Sequence, residues 1–548
     1  MNKKRKIALI VISIILFISL TIMFSYEQEE IKNIIILIPD GLTVGNVTMA
    51  RWYQNGLEMS WDKYVYGLVR THNADSPIAD SAPAATAYAT GFKTHTGYIS
   101  VLPDVANMPG EKAINPKDAK SPIFTILEAA KLLGKSTGLV ATANLQHATP
   151  AGFCAHFPNR NDYENIGEQQ VYQNIDVMLG GGYNYFSSKR KDKEDLIAVL
   201  KGRGYQIVTN TKEMNESKAS KLYGLFADDA LAYDIDRDPE KEPSLKEMTE
   251  KAISILSKNP KGFFLMVEGS KIDWANHSND PVGVISDILA FNEACQVAFD
   301  FAIKSKNTVV IVVSDHSTGG FSIGNQLTSS GYDKKQLVEF VLPLKLARLT
   351  GEGLEKLLNA DMPVEQIKQI IAENYAIKDL TDEEIKQITE YLTSVKADPK
   401  KAGRFNSIIG PMLSKRAFIG WTSNGHVGED VLFAMYHPKN RVLTGVIDNT
   451  DIGKYMEKLF KVNLAELTKK YFIEASSAFK AKGAEVILDN TTDPANPVLK
   501  VSKSGIIIEI PAQKDYVIVN GKQIMTKIIN VYNGTTFYVS QDVINLLK

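Results

Sequence analysis

Asp273 and His277 stand four apart in "VEGSKIDWANH", so on a helix their side chains share a face and could hold one metal ion. Asp315-His316, the same two residue types side by side, closes the apolar run "NTVVIVVSDHSTGG". His426 lies in the loop-like "SNGHVGED", while Asp40 and Glu268 follow the apolar runs "NIIILIP" and "GFFLMV". Each has an ordinary explanation when taken singly: Asp40 as a turn former, Asp273 with His277 as a surface ion pair, His426 as a solvated loop residue. Glu268 is harder to dismiss, because a carboxylate capping a buried strand needs a partner or a metal. Together the residues sort by ligand chemistry. Zinc takes histidine nitrogen and carboxylate oxygen, and catalytic zinc keeps one position open. Asp273, His277 and His426 make one such set. Asp40, Asp315 and His316 make a second, with a place left for Ser81. Glu268, Thr149 and the other oxygen of Asp40 are hard oxygen donors of the kind magnesium prefers.

Ser81 opens the small-residue run "DSAPAATAYATGFKTHTG". An N-capped helix is its plain reading. Its local histidine, His95, is about four helical turns away, too far to accept the hydroxyl proton. A bound metal removes that need, since it lowers the proton affinity of a hydroxyl. Pro83 near the helix start costs no hydrogen bond, and the helix N-terminus would direct N–H groups at an anion. Arg160, in "HFPNRNDYE", is a candidate clamp on two phosphate oxygens, although a solvated arginine is its bland alternative. Two zinc ions, one magnesium ion and Arg160 outweigh four carboxylates and a Ser81 alkoxide by two charges. A phosphomonoester dianion balances that excess better than a diester.

These residues must be brought together by a fold. Apolar runs ending in Asp40, His147 with Thr149, Glu268 and Asp315 alternate with long helical stretches, and "EDVLFAMY" follows His426. That alternation predicts an α/β domain with a mostly parallel central sheet and helices on both faces. Ligands in such folds bind beyond the carboxyl ends of the strands. Between His316 and His426, at about 335–415, the pattern turns helical, with a capping box of Thr381 and Glu384 ahead of Ile385, Ile388 and Leu392. This reads as a helical insertion. After about residue 465 the strand-like "GIIIEI", "DYVIVNGKQI" and "TTFYVS", with Asn520-Gly521 and Asn533-Gly534 as hairpin turns, predict a small β-rich C-terminal domain over 465–548.

At the other end, Lys3, Lys4, Arg5 and Lys6 precede an uncharged apolar run over 7–24. Residues 1–31 therefore read as a signal peptide or membrane anchor, and the lysines place the rest of the chain outside the cytoplasm. The missing small-x-small cleavage site favours the anchor. The chain has 548 residues with 62 basic and 63 acidic side chains, a balance that argues against nucleic-acid binding. Its two cysteines, Cys154 and Cys295, cannot make a disulfide framework; they read as buried thiols, with one bridge as the alternative.

In order along the chain, "DSAPAATAYATGFKT", "NLQHATPAG", "DVMLGGG", "VEGSKIDWANH", "SDHSTGG" and "GHVGED" resemble the signatures of the alkaline phosphatase family, over roughly 32–462. The resemblance implies a catalytic domain over 32–464 that hydrolyses phosphate monoesters with two zinc ions and one magnesium ion. It implies Ser81 as nucleophile through a phosphoserine, and Arg160 on phosphate. Asp273, His277 and His426 would hold the first zinc. Asp40, Ser81, Asp315 and His316 would hold the second, and Asp40, Thr149 and Glu268 the magnesium. Family members are often homodimers. Pro39 stands where the family usually has glycine. His147 and Trp274 stand where some members have aspartate and lysine; an imidazole there suits zinc or cobalt better than magnesium in the third site. The C-terminal segment resembles copper amine oxidase N-terminal-like modules. The alternatives are a phosphodiesterase, phosphonate hydrolase or phosphomutase of the wider superfamily, and a surface-binding pseudoenzyme. The ten site residues remain chemically competent, which argues against the last.

Overall fold

Three of the apolar runs become the buried centre of one sheet, for the reason their composition suggests. β1 (Asn33–Pro39), β7 (Phe263–Gly269) and β8 (Thr308–Val313) are buried at every residue, as strands covered on both faces must be. In this computed structural model, which describes residues 31–547, they belong to a ten-stranded sheet. The other strands are β2 (Val65–Arg70), β3 (Ser136–Asn144), β4 (Val177–Gly181), β5 (Gln206–Val208), β6 (Leu222–Leu225), β9 (Val431–Tyr436) and β10 (Gly445–Asp448). The order is β10-β2-β9-β8-β1-β7-β3-β4-β6-β5. Only β9 runs against its neighbours. The apolar run 7–24 lies outside the described residues.

Alternation along β1 divides its side chains between two cores. Ile35 and Leu37 join the cluster packed by α4 (Pro281–Ser305), whereas Ile34, Ile36 and Ile38 join the cluster on the opposite face. Cys295 belongs to the first cluster and Cys154 to the second. Both are buried free thiols on opposite sides of the sheet, so no bridge joins them. α4 is long and apolar enough to cross a bilayer, but 61% of its most apolar window is buried in the protein. It is a core helix.

The insertion consists of helices Leu337–Leu346, Gly351–Glu355, Val364–Asn374, Asp382–Ala397 and Asn406–Arg416. The Thr381–Glu384 capping box forms, and Ile388 and Leu392 are buried. Polar bonds tie the insertion to the core. Tyr375 donates to Asp280 Oδ1 at 2.8 Å, and Thr350 Oγ1 donates to Asp236 at 2.5 Å.

Beyond residue 471 the chain forms a three-stranded and a five-stranded antiparallel sheet, with a separate apolar cluster that includes Val501, Ile508, Val517 and Phe537. Asn520 and Gly521 both adopt positive φ in a two-residue hairpin turn. The hairpin at Asn533-Gly534 differs from the expected two-residue turn. Its loop runs over 533–536, and the Asn533 side chain closes it by accepting from the Thr535 and Thr536 amides. This C-terminal unit is fixed to the main body by charge. Lys514 Nζ reaches Glu194 at 2.8 Å and pairs with buried Glu168, and Arg203 pairs with Asp515 at 2.7 Å.

Candidate active site

The carboxyl ends of β1, β7 and β8 lie side by side and deliver Asp40, Glu268 and Asp315 to one point. Parallel register makes this unavoidable: three acids that close three adjacent strands must meet. All three are fully buried. α1 (Ser81–Thr90) brings Ser81 at its first turn, α2 (Ala148–Gly152) brings Thr149, and α3 (Lys271–His277) brings Asp273 and His277. His426 arrives differently. It sits in a two-residue strand paired with Ser317–Thr318, which stacks its ring on His316 with centroids 3.7 Å apart.

Three groups of donors converge. His277 Nε2 is 3.3 Å from Asp273 and 3.1 Å from His426 Nε2, and His426 Nε2 is 3.8 Å from Asp273. His316 Nε2 is 3.3 Å from Asp315, 3.6 Å from Asp40 and 3.2 Å from Ser81 Oγ. Asp40, His147 and Glu268 place one donor atom each within 4.8 Å of the others. A histidine nitrogen thus lies within proton-transfer reach of Ser81, although the local sequence offers none. The same nitrogen faces two carboxylates, which makes it a ligand atom rather than an isolated base. His95 is elsewhere, paired with Asp75.

The arrangement fits cations. Both carboxylate oxygens of Asp40 and of Glu268, Oδ2 of Asp315, Thr149 Oγ1 and His147 Nδ1 are buried without a hydrogen-bond partner. So many orphaned acceptors in one place would be prohibitive unless positive charge satisfies them. Without it, the carboxyls resist ionisation. Burial, then the charges of its acidic neighbours, drives Asp40 far above the usual range. Burial and Asp315 push Glu268 up to about 8, and burial and Asp273 push Asp315 to about 6. Burial opposes charge on His277, but its bond to Asp273 wins and raises it to about 9. The second nitrogens of the outer histidines are turned by backbone carbonyls: His277 Nδ1 meets Asn424 O at 2.6 Å, and His426 Nδ1 meets Ala79 O at 2.8 Å. Outer carbonyls of this kind fix the tautomer of metal-ligating imidazoles.

Arg160 reaches the mouth of the site, in a cleft of about 630 Å³ that Ile78, Asp80, Thr96, His277 and His426 also line. Its guanidinium is gripped by Asp80 through Nη1 and meets His147 Nε2 at 3.2 Å through Nη2. Burial, then Arg160, lowers His147 to about 3, so the imidazole stays neutral: with Nε2 accepting from Arg160 its proton sits on Nδ1, and Nδ1 becomes a ligand only when that proton moves to Nε2 and the Arg160 contact is given up. His147 therefore stands between two alternatives, a donor in the third group through Nδ1 or an acceptor for Arg160 through Nε2. Trp274 packs edge-on against His147, with centroids 5.9 Å apart. The Lys271 ammonium lies over the Trp274 ring at 4.6 Å, so a cation stands beside this position.

Two supporting residues escape a reading of the sequence. Asp80 holds the N-cap position of α1, yet its side chain bonds no helix amide; it serves Arg160 and accepts from Gly97 N at 3.0 Å. Thr318 donates to Asp273 at 2.6 Å and lies 3.3 Å from His316 Nδ1, bridging two donor groups.

Sheet and donors together define a metal-dependent α/β enzyme. The family model for alkaline phosphatase matches residues 31–462. The chain is 37% identical to alkaline phosphatase 3 of Bacillus subtilis, over 80% of this chain and 91% of that one. It is 32% identical to the repressible alkaline phosphatase of Saccharomyces cerevisiae, over 80% and 82% of the two chains. Among solved structures, Thermus thermophilus alkaline phosphatase matches with a TM-score of 0.69 at 28% identity, over 79% of this chain and 92% of that one. A cold-active alkaline phosphatase from Shewanella sp. matches with a TM-score of 0.67 at 29% identity, over 78% and 99%. The chain belongs to the alkaline phosphatase family and is a hydrolase of that family.

Proposed function

We propose that the protein hydrolyses phosphate monoesters outside the cytoplasm, with Ser81 as nucleophile and a phosphoserine as intermediate. The observation that carries this reading is the position of Ser81 Oγ, 3.2 Å from His316 Nε2 and beside the orphaned acids. Asp273, His277 and His426 would hold one zinc ion, and Asp40, Ser81, Asp315 and His316 a second. Asp40, Thr149 and Glu268, with His147 Nδ1 alongside, would hold the third ion. Bound there, the ions lower the proton affinity of a hydroxyl or water and neutralise phosphoryl charge.

The chain's own residues supply the rest. Arg160, braced by Asp80, takes two phosphate oxygens and turns the phosphorus towards Ser81. The oxygen–phosphorus bond to Ser81 forms as the ester bond breaks in line, and the departing alcohol ends with the proton that Ser81 gives up. Water then attacks the phosphoserine from the side the alcohol has vacated, releasing phosphate and restoring the hydroxyl. Monoesters fit the charge count better than diesters.

The third site favours zinc or cobalt as long as His147 lines it. In a variant of the alkaline phosphatase from the Antarctic bacterium TAB5, a histidine is replaced by aspartate and magnesium is bound in the M3 site. Rates on an aryl phosphate and a bis-aryl phosphate test the proposal, measured before and after chelation with zinc, magnesium and cobalt returned separately. A faster diester, or activity untouched by chelation, would overturn it.

A further inference from the structure

Each of the four central strands is entered through a lysine. Lys306 precedes β8, Lys32 precedes β1, Lys261 precedes β7 and Lys135 precedes β3. These strands are neighbours in the order β8-β1-β7-β3, with Asn33 opposite Thr308 and Ser136 opposite Phe263. At the usual strand spacing the four entry points fall within about 15 Å. Lys258 and Lys304 flank the same edge. Lys32, Lys258, Lys261, Lys304 and Lys306 are exposed, and among the described residues none of these five makes an ion pair. The entering segments 31–33, 133–136, 257–262 and 304–308 contain no carboxylate. Asp176, which accepts from Thr137 N at 2.9 Å, and exposed Asp300, one helical turn before Lys304, are acids at the margin. In a chain with 62 basic and 63 acidic residues this edge is a marked segregation of charge, which the three glutamates of the connecting residues 25–30, Glu27, Glu29 and Glu30, offset only in part.

This edge is also where the described chain begins. Six residues separate Ile31 from Phe24, the last residue of the apolar run. Fully extended, six residues reach about 20 Å. We propose that the lysine edge lies against an anionic phospholipid surface. This rests on reading the run 7–24 as a retained membrane span. Anionic headgroups attract lysines held within a Debye length, and the span keeps these within reach. The catalytic acids lie at the opposite ends of the same strands, about 23 Å away, so the cleft opens towards solvent. Several of these lysines follow helix C-termini, where they also complement the helix dipole. That role alone predicts a contribution to stability and none to orientation.

The full chain, reconstituted into phosphatidylcholine vesicles containing one third phosphatidylglycerol and a nitroxide-headgroup lipid, separates the two roles. A fluorophore is placed by Lys261→Cys at the lysine edge, or by Lys112→Cys beside Glu111, which is 3.5 Å from His72 past the carboxyl end of β2. The native thiols are buried and should not label. Several-fold stronger quenching at position 261 than at 112 is expected, and adding the triple substitution Lys32→Glu/Lys258→Glu/Lys306→Glu to each labelled chain should abolish the difference. Equal quenching at the two positions overturns the proposal. So does a triple variant that melts at lower temperature yet keeps the quenching pattern. Recovery of the full chain in the supernatant at high salt refutes the retained span, and the lipid-facing edge with it.

Discussion

Ser81 and Asp80 are neighbours with separable duties, and their substitutions should differ in kind. Ser81→Ala removes the nucleophile, so kcat should fall by ~10³-fold or more with the melting temperature nearly unchanged. Asp80→Asn leaves the nucleophile and loosens Arg160. KM and the inhibition constant of inorganic phosphate should rise by roughly fivefold to tenfold, with a smaller change in kcat. His147→Asp replaces an imidazole with a hard donor. Elemental analysis after equilibration with mixed ions should then show magnesium displacing zinc or cobalt in one site of three. The convergence of the proposed ligands was legible in the sequence because acids and histidines at the ends of apolar runs are costly to bury without a purpose. Asp80 was not, because an aspartate before a helix reads as a cap. Thr318 was not either, because nothing in a lone threonine announces that it bridges two ligands.

At the scale of elements, the site depends on how closely β1 and α3 approach. Gly41 has a φ of +69°, and a Cβ there would lie 2.6 Å from Asp273 Oδ1. Its amide donates to Asp315 at 3.1 Å, and its carbonyl accepts from Asn276 Nδ2 at 3.0 Å. Gly41→Ala should therefore cost about 3 kcal/mol and lower the zinc content of the purified protein, read by calorimetry and elemental analysis. The central strands and the insertion were legible, since continuous β-branched runs and a capping box are local signals. The pairing of His426–Val427 with Ser317–Thr318 was not. Strands of two residues have no periodicity, and the partners are separated by the whole insertion.

For the molecule as a whole, clustered acids and histidines link stability to pH. Between about pH 6.5 and 9 the metal-free folded state keeps protons on Glu268 and His277 that the unfolded chain has released. Its stability therefore falls as pH rises through that window. Divalent ions replace those protons, so the gap in melting temperature between loaded and chelated protein should widen by a few degrees from pH 6.5 to 9. The C-terminal unit makes a second global test. Lys514→Met would strand Glu168, already pushed up to about 7 by burial, at a cost of about 2–4 kcal/mol. Limited proteolysis should then release a fragment beginning near residue 470, and adding Glu168→Gln should restore much of the resistance.

The two thiols have a practical corollary. With Cys154 and Cys295 walled off from each other by a β-sheet, no covalent cross-link has to form before the chain is mature. Reducing agents should leave its melting curve where it was, and a host's redox machinery should matter little to its yield. Metal, not oxidant, should then be what limits the yield of active protein.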